Sequence, residues 1–223
     1  MASYFAFPAS DRLRDGSLTL LDNFENGVRE PQSRLFVEVG QIFTDEIVDA
    51  LLLNIVRSAE RAHSGAKILE QFAGLIKSTV HALIKQVLGK MSNEELRPLA
   101  GYMRQRRLTI TQDGKEKDYI AFILPADFHT RFRAVLEQGA RGQSNTAELL
   151  ACMEIFTEKA HTAFYDESLG AIKLGFIGRK MADVGGSALR KGSQAATRRL
   201  IPDLQGDELK QFCAYFLLML ITA

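Results

Sequence analysis

The sequence has little cysteine, almost no net charge and no long apolar run. Its two cysteines, Cys152 and Cys213, lie far apart in apolar helical patterns. That usage reads as two reduced, buried thiols of a cytosolic protein, with a single disulfide as the alternative. A net charge of +1 at pH 7 gives the whole molecule no bias toward an anionic or cationic partner. The most apolar stretch, residues 212–221, is far short of the ~20 residues that span a bilayer. Residues 1–16 lack a basic start followed by a sustained apolar run, so they do not read as a secretory signal. A cytoplasmic, soluble protein with no transmembrane segment is the expectation.

What is present suits a packed core. Hydrophobic residues make up 46% of the chain and charged residues 25%, enough apolar surface to offset chain entropy and exclude extensive disorder. A length of 223 residues fits a single domain, 1–223. Charge is unevenly spread. Residues 1–50 carry nine acids against four arginines, whereas residues 170–199 carry seven cations against one acid, Asp183. The two regions can compensate one another inside one fold or between subunits.

The pattern along the chain is mainly helical. Residues 1–32 contain Pro8, Asp15-Gly16, Asn26-Gly27 and Pro31 and read as an extended or loop-rich arm. Residues 18–21 and 35–39 read as short strands, the second from the alternation of Leu35, Val37 and Val39. Helices are expected over 44–106. Thr44 serves as the first cap, Val48, Leu51, Leu52 and Ile55 form an apolar stripe, and Ser64-Gly65 is the break to a second, antiparallel helix. Ser92 to Glu95 fits a capping box, and Pro98 predicts a kink or turn before a helix over 99–106. The period then changes. Leu108, Ile110 and Gln112, the Asp113-Gly114 turn, and Tyr119, Ala121 and Ile123 predict an antiparallel β-hairpin over about residues 107–124. Helical period returns over 126–222. Thr146 reads as a cap, residues 170–199 as two or three broken helical pieces, Pro202 as a turn and Asp207 as the last cap. The fold class is therefore mainly α, a multi-helix bundle-like domain with one small β-hairpin.

Motifs for chemistry are near misses. Two Glu-x-x-His pairs, Glu60/His63 and Glu158/His161, have the spacing used in di-metal helical bundles. On a helical wheel, however, Glu158 falls opposite the stripe of Leu149, Met153, Phe156 and Ala160. His81 and His129 have no carboxylate partner in sequence. Cys152 and His161 are nine residues apart, 2.5 helical turns, and point to opposite faces. Ile177-Gly178-Arg179-Lys180-Met181 lacks the second glycine of an RNA-binding GxxG loop, and Lys191-Gly192-Ser193 has phosphate-loop residues in the wrong order. No catalytic, metal or cofactor site is assigned.

Two surfaces remain as candidates. Lys173, Arg179, Lys180, Arg190, Lys191, Arg198 and Arg199 form a basic, Gly-rich segment. If it is one helix, Arg190-Lys191 and Arg198-Arg199 share a face suited to phosphates. Phe212, Tyr215, Phe216 and Met219 lie on an all-round apolar helix, suited to a central core or a subunit interface. The sequence thus reads as a non-enzymatic interaction or regulatory protein, binding another protein or its own copy. The alternatives are nucleic-acid or anionic-membrane binding through residues 170–199, and a metal-dependent helical enzyme using the Glu-x-x-His pairs.

Overall fold

The structure, a computed structural model, describes residues 1–54, 66–112, 114–143 and 145–223. Among these residues the chain forms eight helices and a small four-stranded antiparallel sheet, a mainly α fold with a small β element.

The chain opens with strand β1 (Ser3–Pro8), whose Phe5 and Phe7 point inward while Tyr4 and Ala6 alternate to the other face. Helix α1 (Asp11–Glu25) follows, capped by the Ser10 hydroxyl, which accepts from the Leu13 amide at 3.1 Å. Residues 1–32 are therefore extended only over Ser3–Pro8 and largely helical after it rather than loop-rich, and residues 18–21 are helix rather than strand. The Asp15-Gly16 pair that suggests a turn is a packing device. A Cβ on Gly16 would lie 3.0 Å from Val39 Cγ2, so the glycine lets α1 approach the next helix.

That helix, α2 (Ser33–Val48), begins eleven residues before Thr44 and runs on through one wide, π-type turn (Asp49–Leu53). Phe36 and Val39 are buried at helical spacing, so the alternation over residues 35–39 does not mark a strand. Thr44 is buried inside α2 and donates to the Gly40 carbonyl at 2.9 Å; it caps nothing. Helix α3 (Ala66–Leu88) packs along α2. The helix end expected at Ser64-Gly65, together with Glu60 and His63, lies outside the described residues, as does Asp113.

Helix α4 (Asn93–Arg106) starts with the expected capping box: Ser92 and Glu95 satisfy one another's backbone amides. The hydrogen bonds from Ser92 hold the Glu95 carboxyl below its ordinary pKa, the backbone one first. Pro98 sits within α4, and no separate turn precedes residue 99. The hairpin is as expected, β2 (Arg107–Gln112) and β3 (Lys115–Ile123), with Gln112 opposite Lys115 and Gly114 at φ +74°.

Helix α5 (Ala126–Ala140) leads to α6 (Thr146–His161), capped by Asn145 rather than Thr146. Helix α6 continues through a wide turn (Thr162–Asp166) into Glu167–Gly170. Helix α7 (Phe176–Asp203) is one unbroken 28-residue helix, not two or three pieces, and Pro202 lies in its last turn. It spans ~42 Å at 1.5 Å per residue. Helix α8 (Gly206–Leu218) is preceded by Gln205 at the cap position, with Asp207 in its first turn. The apolar run 212–221 then leaves the helix to form β4 (Leu220–Thr222).

The strands lie in the order β2-β3-β1-β4, so both ends of the chain meet in one sheet, with Ala2 and Ala223 exchanging backbone hydrogen bonds. Fourteen phenylalanines supply the bulk that tryptophan does not. Phe156 is the hub, with ring centroids 4.6 Å from Phe5, 5.5 Å from Phe132 and 5.6 Å from Phe216.

Candidate functional site

The basic segment is explained first by packing. Helix α7 runs antiparallel to α3, where Gly178 faces Val87 and Gly192 faces Phe72, and antiparallel to α6, where Thr197 meets Thr157 and Gly186 meets His161. Its glycines allow this approach. A Cβ on Gly186 would lie 2.5 Å from the Tyr165 ring, and one on Gly192 would lie 2.3 Å from the Phe72 ring.

The seven cations divide. Arg190 pairs with Glu158 at 3.1 Å and Asp166 at 2.9 Å, and donates to His161 Nδ1 at 3.2 Å. Arg198 pairs with Glu154 at 2.6 Å. Lys173, Arg179, Lys180, Lys191 and Arg199 are exposed and have no acidic partner among the described residues. The ridge expected from Arg190-Lys191 and Arg198-Arg199 is therefore half neutralised from within. Near the start of α7, Phe176 and Val184 are exposed at 86% and 66%, and Met181 is also exposed.

The candidate interface residues of α8 face inward. Phe212, Phe216 and Met219 are buried in the chain's own core, and the Tyr215 hydroxyl donates to the Ala50 carbonyl at 2.8 Å. They are core groups, not a free surface.

Two of the histidines, His81 and His161, have partners that spacing did not reveal. His81 lies 3.0 Å from Asp45 and 3.2 Å from the Gln41 carbonyl. His161 uses Nε2–H toward the Gly186 carbonyl at 3.1 Å, leaving Nδ1 to accept from Arg190. His129 is buried; desolvation first, and Arg133 second, push its pKa below the ordinary value. Burial pushes the Cys213 thiol up to about 12 and raises Cys152 as well, so neither is poised as a thiolate nucleophile. Among the described residues, no three His, Cys, Asp or Glu side chains gather as a metal site. No helix among them is long and apolar enough to cross a membrane.

Two further features depend on the tertiary structure. The first is the face of the sheet turned away from the helices. Register and alternation put Tyr4, Ala6, Leu108, Ile110, Tyr119, Ala121, Ile123 and Ile221 on it. These residues form an apolar cluster separate from the main core, in which Tyr4, Leu108, Ile110 and Ile221 remain partly exposed, and Ile123 beside it is 66% exposed. Antiparallel sheets with one free face normally alternate to polar residues there. Along β3 this face turns polar only at Lys115 and Lys117, toward the hairpin tip.

The second is an apolar cavity of about 200 Å³ among α2, α3, α6, α7 and α8, with another of about 110 Å³ beside it nearer α4. Phe43, Thr44, Val80, Phe164 and Tyr165 line both. Native interiors hold few voids larger than a water.

No protein-family model, no curated protein and no solved structure matches this chain.

Proposed function

We propose that the protein is a non-enzymatic interaction protein that docks through the outer face of its sheet. The single observation behind this reading is the set of exposed and partly exposed apolar residues Tyr4, Leu108, Ile110, Ile123 and Ile221 on the side away from the main core. Contiguous apolar surface of this kind marks an interaction site. The partner that fits is a second copy of the chain. An identical sheet supplies an equally apolar face, and two sheets pack face to face at ~10 Å with interdigitating side chains. Replacing Ile110 with Lys and Ile123 with Glu tests it, since both side chains lie outside the main core. The expected result is loss of a dimer in light scattering with the helical circular dichroism unchanged. A dimer that survives both substitutions contradicts the reading.

A second reading, contact with an anionic membrane surface, is favoured by the start of α7. There Lys173, Arg179 and Lys180, without acidic partners among the described residues, alternate with exposed Phe176, Met181 and Val184. Cations beside apolar side chains suit the headgroup boundary. Phe176 is the only aromatic residue in 170–199, too few for a base-stacking platform, which disfavours nucleic acid. Sedimentation with anionic vesicles, weakened by salt and by K173A/R179A/K180A, supports this reading. Equal sedimentation with neutral vesicles counts against it.

A further inference from the structure

We propose that the two cavities, which share five lining residues, act as the two lobes of one binding site for the hydrocarbon chain of a single-chain anionic amphiphile about ten carbons long. The chemistry of the wall selects this guest. Besides aliphatic and phenylalanine side chains, the larger lobe presents Thr44, Thr157, His161, Tyr165, Ser193 and Thr197. Each already uses its hydrogen inside the protein. Thr44 donates to Gly40 O (2.9 Å), Thr157 to Met153 O (2.7 Å), Tyr165 to Ala182 O (2.7 Å) and Ser193 to Leu189 O (2.8 Å). His161 donates to Gly186 O, and Thr197 to the Thr157 oxygen at 3.3 Å. In the smaller lobe, Tyr102 donates to Ala163 O (2.9 Å) and Ser168 to Tyr165 O (2.8 Å). These walls leave no donor for a polar guest, and water needs two to four polar partners to stay. The site therefore selects hydrocarbon.

Size sets the chain length. A void of ~150 Å³ holds a benzene ring, and a small group takes roughly the ~30 Å³ of a liquid water, so the two lobes together accept about ten methylenes. Position sets the head. The smaller lobe is lined in part by Val87 and Ile172. Val87 lies 3.9 Å from where a Cβ on Gly178 would sit, at the start of α7. Lys173, next to Ile172, is exposed with no acidic partner among the described residues. A carboxylate emerging beside Ile172 would come to the cation that follows it in the chain, Lys173. This inference does not depend on the sheet face or on membrane contact.

The test is calorimetric titration of the full chain with monomeric decanoate and with decanol, without vesicles. Saturable one-to-one binding of decanoate, several-fold tighter than decanol, is expected. K173E should remove that preference and leave decanol unchanged. Val80→Phe, which fills space shared by both lobes, should weaken decanoate at least ten-fold while the chain stays folded by circular dichroism. Ala196→Leu, confined to the larger lobe, provides the same test if Val80→Phe does not fold. No binding of either compound overturns the site. Undiminished binding by a folded plug variant overturns its location. Equal affinity for decanol and decanoate overturns the anionic head.

Discussion

Gly192 of α7 and Phe72 of α3 fit one another so closely that a single methyl group separates native packing from a clash. A Cβ at residue 192 would lie 2.3 Å from the Phe72 ring. In an open helix, Gly to Ala is worth ~1 kcal/mol of stabilisation. Gly192→Ala should instead cost ~1–3 kcal/mol by overpacking. Gly101→Ala is the control. Gly101 lies in α4, and a methyl group there would have nothing within 4 Å, so Ala should stabilise by about 1 kcal/mol. Urea unfolding of the two variants should move the midpoint in opposite directions. Phe72→Leu should relieve part of the Gly192→Ala defect.

His129 makes stability pH-dependent. Its folded pKa lies below the unfolded value of ~6.5, so between the two the unfolded chain binds more protons. The contribution is full above the unfolded pKa and is lost as pH falls through the window toward the folded value. His129→Gln should flatten that part of the stability–pH curve. An unchanged slope would contradict the burial assigned to the ring.

The cysteines should be silent in the native state. Both are buried and their thiols are shifted upward by desolvation. A thiol reagent at about pH 8 should modify neither until the chain opens, and both in denaturant. Rapid labelling of one cysteine in native protein would contradict the packing of α6 or α8.

Arg190 and Lys191 are neighbours with different roles. Arg190 joins Glu158, Asp166 and His161, whereas Lys191 has no acidic partner among the described residues. Arg190→Ala should cost on the order of 1 kcal/mol, less at high salt because the group is partly exposed, and Lys191→Ala close to nothing. Thermal melts at two ionic strengths separate them.

The features legible in the sequence are local ones. The hairpin is announced by alternation and by Gly114, and α4 by Ser92 and Glu95, because turn and cap chemistry act within a few residues. Strand β1 is hidden because its partners, β3 and β4, lie at the middle and the far end of the chain. Helix α7 is hidden because its glycines look like breaks, while their reason, Tyr165 and Phe72, sits on other elements. His81 and Asp45, or His161 and Arg190, meet only through helix pairing. The cavity leaves no local signature, and the alternation of Leu108, Ile110, Tyr119, Ala121 and Ile123 shows that one face is apolar without showing that it is the outer one. The cavity needs five helices, and the apolar face needs the register of four strands.

Self-association through the sheet face is tested most directly by sedimentation velocity of the unmodified chain over a roughly hundred-fold concentration range. The predicted result is a reversible shift from a 24.8 kDa monomer to a species of twice that mass, abolished by Ile110→Lys with Ile123→Glu. A single monomeric species at every concentration would contradict it.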